Sequence, residues 1–406
     1  MSNVNRRQWL SRVGVAGMAT VAGSGSWGRG QEAGKSEPPA KPHLELLDYR
    51  PKSMLHVAET KVMRSRFPVI DVHTHLTHGA RGKNGVTLGE ELRVITSPEN
   101  LLPEMDRKNI RLMVNLTGNY GKGLEEAVER FSRAYPDRFM VFTEPAWDHV
   151  NRPDYPRWQA DEIGRAHQAG AKGLKVVKTL GLYLREDVTS GPLVKIDDPR
   201  FDLMWESCAA FKMPVAIHIS DPEAFFLPID RFNERFEELI NHPDWSFYGK
   251  DFPSNQELLE ARNRMFVRHP KAVFIALHVG NNAENLAYVS ECLDRFPNMY
   301  VELAARISEL GRQPRTARKF FEKYQDRIMF GTDTAPNGAA PPEHAFSTEM
   351  YEIYYRFLET EDEYFDYSPA PTPPQGRWQI YGLGLPESIL RKVYYENAER
   401  VLRIVD

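Results

Sequence analysis

The stretch FPVIDVHTHL at residues 67–76 decides how the rest of the chain is interpreted. Its apolar, β-branched start is typical of a buried strand, and two histidines stand at its end. His73 and His75 are two positions apart, so a regular strand projects both imidazoles from one face. The stretch therefore predicts a buried strand that ends in a pair of potential metal ligands.

Seven further β-rich runs follow, and a longer segment of helical character separates each run from the next. They cover residues 110–118, 139–146, 171–180, 213–221, 272–280, 299–306 and 328–335. Strands that alternate with helices indicate a parallel sheet, and eight such units are the number in a TIM barrel. A doubly wound open sheet would carry a glycine-rich phosphate loop where this chain has His73 and His75. We therefore predict an α/β fold, a (β/α)8 TIM barrel, with 386–404 as its last helix.

Three segments that follow predicted strands are unusually long, at 77–109, 222–271 and 336–384. In a TIM barrel they extend from the C-terminal face, where active sites are built. The second of them is rich in phenylalanine, tryptophan and tyrosine. We predict that these extended loops form the walls of a pocket.

The N-terminal segment has a different composition from the barrel region. Arg6 and Arg7 precede a mildly apolar, glycine- and alanine-rich stretch, a pattern that resembles a Tat-type export signal. We predict the signal and its cleavage region at 1–33, a linker or N-terminal arm at 34–66, and the catalytic domain at 67–406. Export by the Tat pathway would place the protein in the periplasm or outside the cytoplasm of a bacterium.

Composition excludes several classes of function. Among the 406 residues, 52 lysines and arginines stand against 56 aspartates and glutamates, which gives a formal net charge of −4. This balance disfavours nucleic acid as a ligand, because no basic excess exists to displace counterions from phosphates. Two cysteines cannot form a disulfide scaffold. Past the N-terminus no apolar run approaches the roughly 20 residues of a membrane span. We therefore expect a small-molecule substrate.

Alternation within the predicted strands assigns each side chain to one face. In the first strand it predicts that Ile70 and Val72 pack on the helices and that Asp71, His73 and His75 face the barrel.

The same rule turns His218, His278 and Asp333 inward on the fifth, sixth and eighth strands, and Ile275 and Leu277 outward. Histidines and an aspartate that converge on one point are a ligand set for a divalent metal, most often zinc. Water in the remaining coordination position becomes a nucleophile near neutral pH.

Five short motifs carry a resemblance to a known family. They are VIDVHTH at 69–75, IH at 217–218, LH at 277–278, MFGTD at 329–333 and YENAERVL at 395–402. Together they resemble the amidohydrolase superfamily, in its amidohydrolase-related branch, which includes aminocarboxymuconate-semialdehyde decarboxylase. The resemblance implies that His73, His75, His218 and Asp333 bind one zinc and that His278 acts as acid and base near the substrate. Relatives often form dimers, so it also allows a homodimer.

Lys175 on the fourth strand leaves the number of metals open. Relatives with two metals use a carboxylated lysine on this strand as a bridging ligand, with His218 and His278 on the second metal. Inward parity makes Lys175 a candidate for that bridge. The alternatives are a lysine that holds a substrate carboxylate and one that pairs with Glu302.

Two further residues are candidates for supporting roles. Arg306 at the end of the seventh strand is placed either to clamp a substrate carboxylate or to form a surface salt bridge. Asp71 lies one layer below His73 and is a candidate hydrogen-bond acceptor that supports the metal ligands from behind.

The ligand set is compatible with two reactions. Hydrolysis of an ester, lactone or amide by metal-activated water is the preferred prediction, because it is the commoner chemistry of the superfamily, with Asp333 or His278 moving the proton. The alternative is a metal-dependent, non-oxidative decarboxylase (a carboxy-lyase), and the second alternative is a non-catalytic metal-containing binding protein. The aromatic loop and Arg306 indicate a small, planar or carboxylated molecule.

Overall fold

The computed structural model describes residues 43–45, 48–81, 86–249, 251–336, 347–370 and 374–404. The chain divides into two units, Met1–Ser53 and Met54–Asp406. Residues 43–45 and 48–53 of the first unit are exposed. The predicted export signal at 1–33 lies outside the described residues. Within the described part of the chain, the search for a helix long and apolar enough to cross a membrane finds none.

The described residues of the second unit include ten strands. They are β1 (Val69–Thr74), β2 (Thr77–Arg81), β3 (Thr87–Val94), β4 (Ile110–Asn115), β5 (Phe139–Val141), β6 (Leu174–Val176), β7 (Val215–Ile217), β8 (Phe274–Ala276), β9 (Met299–Glu302) and β10 (Ile328–Met329). All eight predicted strands are present, and β2 and β3 form an antiparallel hairpin that the sequence did not predict.

The eight parallel strands form two sheets, in the orders β1-β4-β5 and β10-β9-β8-β7-β6. Parallel bridges join the sheets at both seams, from Thr74 to Thr334 and from Thr143 to Leu174. At one seam the His75 amide donates to the Thr334 carbonyl at 2.8 Å. At the other the Lys175 amide donates to the Thr143 carbonyl at 2.7 Å. The strands therefore close into the predicted (β/α)8 barrel.

Helices follow the barrel strands. They are α1 (Pro98–Lys108), α2 (Gly121–Ala127), α3 (Tyr155–Ala169), α4 (Asp202–Ala210), α5 (Phe236–Asn241), α6 (Asn255–Arg268), α7 (Leu286–Arg295), α8 (Ile307–Arg312), α9 (Pro314–Lys323), α10 (Thr348–Glu359), α11 (Glu387–Arg391) and α12 (Asn397–Leu402). Shorter pieces are the π-helical turns Val128–Arg133 and Lys392–Glu396, the 3-10 turns Trp147–His149, Pro199–Phe201, Glu223–Phe226 and Pro243–Trp245, and the distorted turns Thr179–Leu182 and Leu277–Asn281. The predicted last helix corresponds to α11, a π-helical turn and α12.

Buried apolar side chains form two clusters, and their membership shows which strand face is inside. One cluster gathers residues from β1, β4, β5, β7, β8 and β10, and only the chain end at α12 among the helices contributes to it. Strands on opposite sides of a closed ring can meet in this way only across the lumen. The other cluster combines the remaining strand faces with the apolar sides of the helices.

The membership of the first cluster, which we call the lumen cluster, corrects the orientation that alternation predicted for four side chains. Ile70, Val72, Ile275 and Leu277 belong to the lumen cluster, whereas we predicted that they pack on the helices. In β1 the pairing with β4 shifts register between Asp71 and Thr74. Simple alternation fails across such an irregularity, because the extra residue turns the following side chains to the other face.

Candidate metal centre

Four imidazoles and one carboxylate gather at the C-terminal mouth of the barrel. They belong to His73, His75, His218, His278 and Asp333, all of which the sequence predicts to lie there. The Asp333 Oδ1 atom lies 3.0 Å from His73 Nε2 and 2.9 Å from His75 Nε2. His278 Nε2 lies 3.3 Å from His218 Nδ1. The structure thus brings these five residues together, and their roles stay predictions.

One nitrogen of His73 and one of His75 are held by the chain. His73 Nδ1 lies 3.2 Å from Glu302 Oε1, and His75 Nδ1 lies 3.0 Å from Thr117 Oγ1. Each contact leaves the Nε2 atom directed toward Asp333. Such contacts behind a ligand fix the orientation of the ring.

The other two imidazoles follow the same arrangement. His218 Nε2 lies 3.3 Å from Asp221 Oδ1, and His278 Nδ1 donates to the Ala304 carbonyl at 2.9 Å. The nitrogens that remain, His218 Nδ1 and His278 Nε2, are the two that face each other. These contacts therefore fix the orientation of all four rings.

Burial sets the charge of three of these rings. It lowers the pKa of His75 to about 3 and that of His218 to about 4, and it holds the pKa of His278 well below its ordinary value. All three imidazoles are therefore neutral at neutral pH, which is the form that binds a metal ion.

His73 behaves differently because acidic neighbours surround it. Burial and the Lys175 ammonium both disfavour the imidazolium, but Asp333 and Glu302 outweigh them and raise the pKa of His73. Lys175 is buried, with its Nζ atom 3.3 Å from His73 Nε2. Lys175 also lines the cavity, as its inward parity predicts, and the bridging, substrate-directed and Glu302-paired roles all stay predictions.

The donor set fits a divalent cation. One ligand atom from each of His73, His278 and Asp333 lies within 4.8 Å of the other two. His75 joins this group through Asp333, and His218 joins it through His278. Imidazole nitrogens combined with a carboxylate oxygen are the donors that zinc and similar ions accept.

Asp71 supports the centre from outside the lumen. Its carboxylate accepts the His73 amide at 3.1 Å, the Thr332 hydroxyl at 2.6 Å and the Tyr351 hydroxyl at 2.8 Å. Burial raises the pKa of Asp71 to about 6. Tyr351 belongs to α10, so the carboxylate faces the helices and not the barrel, contrary to the prediction. Asp71 thus acts on the backbone of His73.

A cavity of about 640 Å³ opens onto these residues. It is lined by His75, His78, Ala80, Arg93, Ile95, Thr117, Lys175, Val177, Lys178, His218, Asp221, Pro222, Phe225, Arg235, Glu238, Trp245, His278, Arg306, Asp333, Ala335 and Gln375. The hairpin β2–β3 and the segment after β7 both contribute to its wall, as we predicted for the long loops. The side chain of Arg81, in the same hairpin, is outside the described part of the chain.

Arg306 lies at this cavity and is buried. Its guanidinium donates to the Ala305 carbonyl at 2.7 Å, and no carboxylate partner of Arg306 occurs among the described residues. Burial lowers the pKa of Arg306. The surface salt bridge that was one alternative for this residue is therefore absent from the described part of the structure.

Sequence reasoning missed Asp221 and Lys178. Lys178 Nζ lies 2.7 Å from Asp221 Oδ2 and within 6 Å of the ring centres of Trp245 and Phe247, at 5.9 and 5.5 Å. Burial alone would raise the pKa of Asp221, but the Lys178 ammonium and His218 lower it strongly. Its position in the sequence could have identified Asp221, because it follows His218 by three residues at the end of a predicted strand.

Two solved structures similar to this chain are decarboxylases by their descriptions. A 5-carboxyvanillate decarboxylase from Sphingomonas paucimobilis has a TM-score of 0.50 at 16% identity, covering 84% of this chain and 100% of that chain. A dihydroxybenzoic acid decarboxylase from a Polaromonas species, with bound manganese and 2-nitroresorcinol, has a TM-score of 0.50 at 15% identity, covering 83% and 97%. At such identities the likeness supports the fold alone.

Comparison with curated proteins finds no match. Residues 70–404 match the sequence profile of the family described as amidohydrolase. That match spans the whole barrel and every residue of the candidate centre. The chain therefore belongs to the amidohydrolase family.

Proposed function

We propose that this protein is a metal-dependent decarboxylase of a small aromatic carboxylate. The observation that carries the proposal is the buried guanidinium of Arg306, which lines the same cavity as His278 and Asp333 and has no carboxylate partner among the described residues. The carboxylates of Asp221, Glu284 and Asp333 are near enough to favour the charged form of this guanidinium, but none of them forms an ion pair with it. A substrate carboxylate would supply that direct partner.

The cavity walls and the fold support an aromatic substrate. Phe225 and Trp245 line one side, and their rings stack on each other with centroids 6.3 Å apart. The two similar solved structures named above are decarboxylases of hydroxylated aromatic acids by their printed descriptions. These considerations change our preference from hydrolysis, the sequence-based prediction, to the decarboxylase alternative.

Different residues of the chain bind the substrate, exclude water and transfer the proton. Arg306 binds the substrate and orients it, and the aromatic wall excludes water from the ring. When the carbon–carbon bond breaks, carbon dioxide leaves and its electron pair stays on the ring carbon, which must then gain a proton. This proton comes from solvent water, and His278 and Asp333, which line the cavity, are the groups that we assign to relaying it. The metal, which we expect His73, His75, His218 and Asp333 to hold, supplies positive charge that stabilises the electron-rich substrate.

Hydrolysis is the second candidate, and one observation favours it. Asp333 is the acidic member of the centre that lines the cavity, with its side chain 17% exposed. From this position a carboxylate can take a proton from water.

Isotope labelling separates the two reactions. Purified protein is incubated with zinc or manganese and a panel of hydroxybenzoates, lactones and N-acyl compounds in deuterated, oxygen-18-labelled water. Release of carbon dioxide with deuterium on the ring carbon supports decarboxylation. Oxygen-18 in the product without release of carbon dioxide would overturn the proposal in favour of hydrolysis.

Substitution tests the two proton-transfer residues. We expect His278→Ala and Asp333→Asn each to lower kcat by about 100-fold or more, the scale of a lost general acid or base, while circular dichroism shows an unchanged fold. Exposed Asp294→Asn serves as the control. Full activity in both variants would contradict the assigned roles.

Substitution of Arg306 tests whether this residue binds the substrate carboxylate. We expect Arg306→Met to raise KM for a carboxylate substrate by about 10- to 100-fold, because a charge-assisted hydrogen bond is worth roughly 1.5–3 kcal/mol. The exposed Arg165→Met is the matched control. An unchanged KM would show that another group binds the carboxylate.

Metal content tests the number and identity of the ions. We propose one divalent ion per chain, zinc, and expect elemental analysis of the purified protein to give the same value for a Lys175→Ala variant. Two ions in the wild type that fall to one or none in this variant would indicate a carboxylated lysine bridge instead. No metal in either protein after supplementation would overturn the central proposal.

We also propose that residues 1–33 direct export by the Tat pathway. Replacing both Arg6 and Arg7 with lysine is expected to retain the full-length chain in the bacterial cytoplasm. Normal recovery of the variant in the periplasmic fraction would contradict this.

A further inference from the structure

His278 lies in a turn whose backbone is unusual. The φ angles of His278, Val279, Gly280 and Asn281 are 55°, 55°, 67° and 58°, so four successive residues have left-handed conformation. For residues other than glycine this conformation costs about 1–2 kcal/mol each, and it is rare for a β-branched side chain such as that of Val279. Contacts around the turn must therefore hold it in place.

Two buried charged side chains hold the turn from opposite ends. At its start, the amide of His278 donates to Glu302 Oε1 at 2.6 Å. Near its end, the Gly280 carbonyl accepts a hydrogen bond from the Arg262 guanidinium at 2.5 Å. Neither contact involves the imidazole, so both act on the backbone that carries it.

Arg262 is buried without a carboxylate partner among the described residues. It lies on α6, which packs on the outside of the barrel, and it is fully buried. Its other described partners are the side chain of Asn263, the Cys292 sulfur at 3.9 Å, the Tyr288 hydroxyl and the ring of Phe266, and none of them is a carboxylate. Burial lowers the pKa of Arg262. Burial of a guanidinium without an anionic partner is unfavourable, and the hydrogen bond to the Gly280 carbonyl is the main contact that offsets it.

We propose that Arg262 is a positioning residue, which acts through the Gly280 carbonyl to keep His278 directed into the cavity. The proposal rests on the role assigned to His278 in the proposed function. Arg262 itself does not line the cavity, so it does not touch the substrate. Without this bond the turn is free to relax to a right-handed or extended conformation, and the His278 Nε2 atom would move away from His218 and Asp333.

The variants are Arg262→Met, Arg262→Lys and the control Arg264→Met, which alters an exposed arginine on the same helix. For Arg262→Met we expect kcat to fall about 10- to 100-fold, the usual effect of losing a supporting contact behind a site residue, with KM within about 2-fold of wild type. Arg262→Lys keeps one donor for the carbonyl and is expected to recover part of kcat. Metal content should be unchanged.

A structural readout makes the proposal independent of the substrate. Crystal structures of the wild type and of each variant give the φ angle of His278 and the distance from its Nε2 atom to Asp333. We expect both to change in Arg262→Met and to stay the same in Arg264→Met. If the wild type shows no decarboxylation, the proposed function fails, but this comparison still decides the role of Arg262.

Two results would overturn the positioning role. One is an unchanged His278 conformation in Arg262→Met. The other is an equal loss of kcat in Arg262→Met and Arg264→Met. If Arg262→Met does not fold, Arg262→Gln replaces it, and the same two criteria apply.

Discussion

Glu302 illustrates how single residues prepare this site. Its carboxylate is fully buried and contacts the His73 ring, the His278 amide and the Ala304 amide, the last at 2.5 Å. It therefore orients one metal ligand and anchors the turn that carries another cavity residue. The pairing of Glu302 with Lys175, one of the alternatives for that lysine, stays a prediction.

We expect Glu302→Gln to weaken metal binding by about 10- to 100-fold, because the amide carries no charge to support His73 and the His278 amide. Competition with a chromogenic chelator measures the dissociation constant. Glu361→Gln, at an exposed position, is the control. Equal metal affinity in the two variants would show that Glu302 has only a structural role.

At the scale of secondary-structure elements, the close approach of β10 to the lumen depends on Gly331. A Cβ atom at this position would overlap Glu302 Oε2 and lie 3.1 Å from the His73 Cβ atom. A side chain here would therefore push the end of β10 away from β1 and β9. Because Asp333 follows two residues later, the same displacement would disturb the metal centre.

Two glycine-to-alanine substitutions should have opposite effects on stability. We expect Gly331→Ala to destabilise the protein by about 1–3 kcal/mol through overpacking, and to reduce metal affinity as well. Gly164→Ala is the matched control, because it lies within α3 and a Cβ atom there meets only the Phe211 ring, at 3.4 Å. It should stabilise the helix by roughly 0.5–1 kcal/mol. Thermal unfolding measures both, and a stable Gly331→Ala would contradict the close approach.

At the scale of the whole molecule, one of the two seams that close the barrel lies at the metal centre. His73 and Asp333 come from β1 and from the segment after β10, and the Asp333 amide donates to the His73 carbonyl at 2.8 Å. A metal bound by both residues would therefore link the first and last strands of the barrel. Binding of the ion should stabilise the closed ring.

We expect a divalent metal to raise the thermal midpoint of unfolding. At 100 times the dissociation constant, a ligand that binds the folded state alone adds about 2.7 kcal/mol of stability. Asp333→Asn should reduce this shift, whereas Asp294→Asn should not. Scanning calorimetry with and without chelator provides the comparison, and equal midpoints in the wild type would count against metal binding at the seam.

The sequence by itself determined the eight barrel strands, their order and the residues at their C-terminal ends. Strand and helix signals are local, so the pattern of β-rich runs and helical segments could be read without knowledge of contacts. His73, His75, His218, His278 and Asp333 could be named because each stands near the C-terminal end of a predicted strand.

The tertiary structure alone decided how those side chains are oriented. Alternation assigned Ile70 and Asp71 to the wrong faces, because the register shift in β1 depends on its pairing with β4. His278 faces the cavity through a left-handed turn that Glu302 and Arg262 hold from distant parts of the chain. Such contacts join residues far apart in sequence, so only the folded chain brings them together.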